Sequence, residues 1–307
     1  MSLSNNTTTF TILNKDNINS FHLKNSLINQ TKNFDFKNIA GEKNQDFVKI
    51  GKNLNKYYWM VCCDGHGDDT FINLIKNLEW DVIMEKENSY EYLINILKNS
   101  VNLYNDNSGS TLAIVKIFSN KIYTLTIGDS RILIFKNSQL LYKSNPHNLN
   151  NNIEKERFKY DVSAKKIVKK LFPMIISSVE QENKYIKYIT FNKNVTLNMT
   201  QSIGHKEITG YYPEHSCFSY NHHDKIKILV GSDGFFDMIV LDETNSENIK
   251  DNNDLLIMNI DDLITKVTLR WQQEWIYYWN IHNKNDFITT RFDQNTIDDI
   301  SLAVWSN

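Results

Sequence analysis

Glycine, proline and cysteine are all scarce in this chain of 307 residues, with ten, three and three copies. The cysteines are Cys62, Cys63 and Cys217, an odd number with two adjacent. That pattern excludes a disulfide framework and a zinc-ligand spacing, and points to a reducing compartment: an intracellular protein, cytoplasmic or nuclear. No run approaches the roughly 18 consecutive apolar residues that a membrane helix needs, so no membrane partner is expected. The opening MSLSNNTTTFTILNKDN has no basic start followed by an apolar stretch, so no secretory signal is read there. No sign of charge dominates either. Lys and Arg number 34 against 36 Asp and Glu, a formal net charge of -2, and no basic field argues for nucleic acid as a ligand. A monomer is expected.

What the chain does have is a core. Hydrophobic residues make up 41% and aromatic residues 12%, enough to exclude global disorder. About ten residues at the start read as a flexible polar lead. Phe47–Ile50 and Tyr57–Cys63 read as a strand pair around a Gly51-Lys52-Asn53 loop. From Thr70 to about Tyr104 the apolar period becomes helical (Phe71, Leu74, Ile75, Leu78; then Leu93, Ile94, Leu97, Val101), which predicts two amphipathic helices. Strands follow at 112–118, 122–127 and 131–135, with turns at Asn120-Lys121 and near Asn137-Ser138. Residues 146–196 read as a helix plus an irregular excursion, and 225–230 as a strand. A polar loop over 242–254 precedes a helix over 261–279 with Trp271, Trp275 and Trp279 on one face, and 300–305 closes the chain as a strand. There is no internal repeat and no linker.

Scarcity makes the surviving glycines informative, because a position that keeps one needs unusual backbone angles or close packing. Two of them bracket a histidine in Val61-Cys62-Cys63-Asp64-Gly65-His66-Gly67. The acids are placed as suggestively. Asp46 precedes its strand and Asp64 follows the next; paired antiparallel, the two would share one sheet edge. Asp233 follows the strand at 225–230 and Asp298 precedes the last strand, with the same consequence, and Asp129 closes a fifth strand. Carboxylates gathered in this way repel one another unless a cation lies among them. An all-oxygen donor set selects hard ions such as Mg²⁺ or Mn²⁺. Two such ions can clamp a phosphoryl group. Any one of these acids alone reads as an ordinary turn residue, except Asp64 and Asp233, each of which follows an apolar strand and precedes a glycine.

Six stretches, in order, resemble the metal-dependent serine/threonine protein phosphatases of type 2C: Asn44-Gln45-Asp46, Asp64-Gly65-His66-Gly67, Ser108-Gly109-Ser110-Thr111, Gly128-Asp129-Ser130-Arg131, Ser232-Asp233-Gly234-Phe235-Phe236-Asp237 and Asp298-Asp299-Ile300-Ser301. The resemblance implies an α+β fold, a four-layer αββα sandwich of two mostly antiparallel sheets flanked by helices, with residues 1–307 forming a single catalytic domain. It implies hydrolysis of phosphoserine or phosphothreonine in a phosphorylated protein substrate by two Mn²⁺ or Mg²⁺ ions and a metal-activated water, with a weaker third ion in some members. Carried over by motif, Asp46, Asp64, Asp233 and Asp298 are the metal ligands, with the Gly65 carbonyl, and Asp129 belongs to the third ion. His66 is the general acid for the leaving alcohol, a role suited to imidazole.

The chain also departs from the family. Gly41 stands where an arginine often binds phosphate, which leaves Lys43 as the nearest basic candidate for that contact. In 197–205, Gln201 replaces an arginine and His205 an aspartate, so 146–205, which includes the family's flap, is divergent. Glu156-Arg157 loosely resembles a family acid–arginine element. Two alternatives follow: a catalytically impaired pseudophosphatase acting as a regulatory binding module, and a phosphatase for a small phosphorylated metabolite.

Overall fold

The run Tyr58-Trp59-Met60-Val61-Cys62-Cys63 is apolar at every position, so a strand built from it must be covered on both faces. The computed structural model has that arrangement. It describes residues 18–22, 33–41, 43–53, 57–86, 88–101, 108–159, 166–168, 174–176, 188–190, 196–205, 209, 212–239, 241, 251–278, 287–293 and 295–307. In chain order come β1 (Ile18–His22), β2 (Asn33–Ile39), β3 (Asp46–Lys52), β4 (Tyr58–Gly67), α1 (Thr70–Lys76), α2 (Trp80–Glu85) and α3 (Ser89–Val101). Then come β5 (Ser108–Ser110), β6 (Leu112–Ile117), β7 (Lys121–Ile127), β8 (Arg131–Lys136), β9 (Gln139–Lys143) and α4 (Asn152–Lys159). The divergent segment adds β10 (Lys166–Val168), β11 (Met174–Ile176), β12 (Tyr188–Thr190), β13 (Thr196–Leu197) and β14 (Ile203–Gly204). The rest is β15 (Glu214–Ser219), β16 (Ile226–Gly231), α5 (Asp233–Phe236), α6 (Asn252–Ile257), α7 (Ile260–Trp271), β17 (Glu274–Tyr278), β18 (Phe287–Arg291) and β19 (Ile300–Ser306).

Two antiparallel sheets dominate. One has the order β1-β2-β19-β16-β8-β9; the other runs β14-β5-β4-β6-β7-β15, with β3 also paired to β4. Met60, Cys62, Val115, Ile134, Ile228, Val230 and Trp305 fill the space between the sheets. Alternate residues of the same strands point outward. Trp59, Val61 and Cys63 pack with Phe71, Ile75, Trp80 and Leu97 of α1–α3. Leu229, Leu302 and Val304 pack with Phe235, Leu263, Ile264 and Val267 of α5–α7. The layers are therefore helix, sheet, sheet, helix. Each large apolar side chain so buried contributes roughly 1.5–3 kcal/mol.

The strands expected at 47–50, 57–63, 112–118, 122–127, 131–135, 225–230 and 300–305 are all present. Asn137 and Ser138 are left-handed (φ 51° and 66°), the twist that a two-residue hairpin needs. Three helices, not two, occupy the stretch after Thr70, because the chain breaks at Asn77–Glu79 and again before Ser89. The Trp271/Trp275/Trp279 helix face is corrected. The helix stops at Trp271 and the chain enters β17, which pairs with β11 and β18. Trp271 and Trp275 still pack together with ring centroids 5.4 Å apart, one from the helix and one from the strand. Trp279, the lead at 1–10 and most of the 242–254 loop lie outside the described residues; α6 begins at Asn252.

Candidate metal centre and active site

The β3–β4 register places Asp46 directly opposite Asp64. The β16–β19 register pairs Gly231 with Leu302, so Asp233 and Asp298 leave the same sheet edge. The two sheets bring these edges together. Carboxylate oxygens of Asp64, Asp129 and Asp233 lie within 4.8 Å of one another. Asp46 and Asp298 stand outside that trio but close enough for their charge to act on it. Burial and mutual repulsion push Asp46, Asp64, Asp129 and Asp233 above the usual carboxylate range. Asp298 is an exposed residue, yet burial of its carboxyl among its neighbours and the Asp233 carboxylate push it up to about 8.

The loops that carry the acids are held by their own hydrogen bonds. The Asp64 amide donates to Thr111 Oγ1 at 2.9 Å, and Ser110 Oγ donates to the Asp64 carbonyl at 3.0 Å. Thr111 Oγ1 lies 2.6 Å from Ser130 Oγ, which ties the Asp64 turn to the Asp129 turn. Gly128, at φ +92°, accepts from the His147 amide and donates to His147 Nδ1. Gly65 is tightly packed: a Cβ there would sit 2.8 Å from Ile72 of α1. At Gly67 the need is conformational, with φ 82° as the chain turns towards α1.

Asp299 is a functional residue that sequence reasoning passed over. Its carboxylate accepts from the amides of Gly41 (2.5 Å), Asn44 (3.1 Å), Gln45 (2.5 Å) and Asp46 (3.3 Å). It is committed to holding the Asp46 loop, whereas the Asp46 carboxylate is not hydrogen-bonded. Asp46 is 1% exposed, and neither of its oxygens has a donor among the described residues. The Ser232 hydroxyl offsets a little of that cost, but it is aligned on the Asp299 carbonyl at 3.4 Å. Asp129 Oδ1 is also buried without a donor. Buried carboxylate oxygens without donors, next to a trio that repels itself, fit a divalent cation with oxygen ligands.

Gly41 is not an arginine with its side chain trimmed. A Cβ there would lie 2.1 Å from the Ile297 carbonyl oxygen, so the backbone occupies the space any side chain would need. Lys43 is exposed, and its charge acts on both Asp298 and His66. His66 follows Asp64 by two residues on β4. Burial, His205 and Lys43 hold its pKa well below the ordinary value. Its Nδ1 is 3.3 Å from His205 Nε2.

On the flap side Arg157 pairs with Glu154, at 2.6 Å. Glu154 also accepts from Thr200 and from Gln201 Nε2 (2.7 Å), so Gln201 is satisfied where an arginine would otherwise stand. Burial pushes Glu154 up, but the Arg157 and Thr200 bonds outweigh it and its carboxyl lies below the usual range. Beyond Asp129 and Asp233 a cleft of about 580 Å³ opens, lined also by Arg131, Lys143, Asn148 and Asn198. Cys62 and Cys63 are buried between the layers, and burial raises both thiols, so neither is a nucleophile. No helix among the described residues is long and apolar enough to cross a membrane.

Similar proteins agree with this geometry. No curated protein matches the sequence. Among solved structures, a serine/threonine phosphatase from S. agalactiae superposes with a TM-score of 0.52 at 18% identity, over 90% of this chain and 99% of its own. The serine/threonine phosphatase Stp1 from Staphylococcus aureus gives 0.53 at 16% identity, over 91% and 96%. A serine-threonine phosphatase 2C from Toxoplasma gondii gives 0.57 at 12% identity, over 94% and 98%. At such identities these superpositions establish the fold. The family model for protein phosphatase 2C matches residues 40–254, well over half of the sequence. The chain belongs to the protein phosphatase 2C family, and with it to the protein serine/threonine phosphatases.

Proposed function

We propose that this chain acts as one catalytic domain that hydrolyses phosphoserine and phosphothreonine in proteins, using two Mn²⁺ or Mg²⁺ ions. The observation that carries the reading is Asp46, a buried carboxylate with no donor on either oxygen, facing three acids whose oxygens lie within 4.8 Å of one another. Asp46, Asp64, Asp233 and Asp298, with the Gly65 carbonyl, would hold the two ions, and Asp129 would hold a weaker third. Bound there, such ions neutralise charge on the phosphoryl group and lower the pKa of a water.

The remaining work falls to the chain itself. His66 supplies a ring proton to the departing alcohol oxygen, which needs one at neutral pH. Lys43, whose charge acts on both Asp298 and His66, meets the phosphate oxygens in place of the missing arginine. The cleft beyond Asp129 receives the polypeptide on either side of the phosphorylated residue, and Pro146, Asn148 and Asn198 of the divergent segment line it.

Purified protein with Mn²⁺ is expected to hydrolyse an aryl phosphate and a phosphothreonine peptide. Asp64→Ala and Asp233→Ala are each expected to abolish both activities. Metal-dependent turnover that survives both substitutions rejects the reading. One observation favours the second reading, a regulatory module without activity: the backbone at Gly41 leaves no room for an arginine. That module would bind phosphopeptides and release no phosphate.

A further inference from the structure

His205 has no part in the proposed reaction, yet the fold goes to some length to deliver it. The residue is left-handed, with φ 51°, directly after Gly204 at φ 95°. A non-glycine residue in that region stores strain of about 1–3 kcal/mol, and such strain gathers at working sites. In the sheet, His66 pairs with Gly109 of β5, and Gly109 pairs with Gly204 of β14. The His205 ring therefore crosses over the middle strand at its glycine. A Cβ on Gly109 would stand 2.2 Å from His205 Cδ2 and 2.5 Å from Nε2. The crossing brings the two imidazoles almost parallel (10°), with centroids 5.6 Å apart and 3.3 Å between His66 Nδ1 and His205 Nε2. The other nitrogen of His66, Nε2, has no partner among the described residues.

We propose that His205 is a positioning residue for His66: its Nε2 accepts a hydrogen bond from His66 Nδ1–H, which fixes the ring and leaves His66 Nε2 as the nitrogen that gives up the proton. The consequence for catalysis rests on the phosphatase reading; the bond itself does not. A bond between two ring nitrogens requires one of them to be bare, so the facing pair shares a single proton. With that proton on His66 Nδ1, the bond is the same before and after transfer. Neutral His66 carries its proton on Nδ1, so Nε2 first takes up a proton from solvent; that proton passes to the alcohol oxygen as the P–O bond breaks, Nε2 regains its lone pair, and Nδ1–H stays on His205. Which ring nitrogen is free for chemistry is set by the bond the other makes. Gly109 has its own place in this scheme, as the slot that lets one ring reach the other.

Two measurements test this. ¹⁵N spectra of the metal-free protein are expected to show neutral His66 protonated at Nδ1. In His205→Ala it should revert to the Nε2–H form that isolated histidine prefers. With Mn²⁺ present, His205→Ala is expected to slow release of phosphate from a phosphoserine peptide by roughly tenfold to a hundredfold, part of what a general acid contributes. It should leave 4-nitrophenyl phosphate, whose leaving group needs no proton, within about twofold. His205→Gln, whose carboxamide oxygen can accept from Nδ1, should recover most of the loss, and Gly109→Ala should reproduce it. Wild-type His66 found in the Nε2–H form overturns the proposal, as does an active enzyme in which His205→Ala slows both substrates equally or neither. Wild-type protein that turns over neither phosphate overturns the phosphatase reading, and with it the catalytic consequence given to His205.

Discussion

Replacing Asp46 with asparagine should make the metal-free protein more stable, although it removes a residue from the centre of the site. Asp46 is 1% exposed, both oxygens lack donors, and the charges of Asp299, Asp298 and Asp233 all oppose its own. A buried charge without a partner costs about 3–5 kcal/mol when it cannot neutralise. Uptake of a proton relieves part of that, which leaves a penalty of about 2 kcal/mol for asparagine to remove. Asparagine keeps the shape and adds an N–H₂ donor that can point at the neighbouring acids. In a domain of this size, 1 kcal/mol moves the melting temperature by about 2–4 °C, so a rise of about 4–8 °C is expected in EDTA near pH 8. Saturating Mn²⁺ should reverse the order. At a hundred times the dissociation constant a ligand adds about 2.7 kcal/mol to the wild type, while the variant has lost a ligand. The assay is thermal unfolding followed by circular dichroism, with and without Mn²⁺. An Asp46→Asn protein that melts below the wild type in EDTA would refute the argument that this carboxylate is kept at a cost to the empty fold.

Other expectations follow from the same charges. Asp46, Asp64, Asp129, Asp233 and Asp298 all have raised folded-state pKa values, so their contribution to stability is full below the ordinary carboxylate range. It is lost as pH rises through the folded values, about 8 for Asp298. The chelated protein should therefore melt at progressively lower temperature from about pH 5 to about pH 9, and Mn²⁺ should flatten the fall; a flat profile in EDTA would contradict this. Lys116 is buried on β6 between the rings of Tyr57 and Tyr90, at 5.2 and 5.3 Å, and burial pulls its pKa down to about 8. Lys116→Met should raise stability at pH 7 by about 2 kcal/mol in urea titrations, with the gain shrinking as pH rises past 8 towards 10.5, where the neutral amine is no longer penalised. Gly41→Ala should destabilise the protein by more than 1 kcal/mol, an order-of-magnitude figure for overpacking, because its Cβ meets the Ile297 carbonyl; unchanged stability would mean that the loop yields there.

Much of the site was legible because antiparallel pairing is simple arithmetic. Two apolar strands with an acid before one and after the other must put both acids at one end, and Asp46 does face Asp64. The core strands were legible for a related reason: strands covered on both faces read as unbroken apolar runs. The tryptophan stripe failed because positions four apart share a face in a strand as well as in a helix. Only the break at Gln272-Gln273 separates the two, and no glycine or proline marks it. β2 was missed although Asn33-Phe34-Asp35-Phe36-Lys37 alternates with a strand's period of two. Asp299 was hidden by its neighbour: of two adjacent aspartates, nothing in the sequence says which accepts backbone amides. His205 was visible only as a departure from the family's aspartate, since its contact with His66 depends on three strands and a glycine between them.

The central claim is that acids at four strand ends and one turn converge to hold divalent ions. Calorimetric titration of Mn²⁺ into chelator-stripped protein tests it most directly, with Asp233→Asn as the comparison. The account predicts binding of two ions by the wild type, with proton release from the raised carboxylates, and loss of at least one ion in the variant. Wild-type protein that binds no Mn²⁺, or a variant that binds it unchanged, would contradict the account.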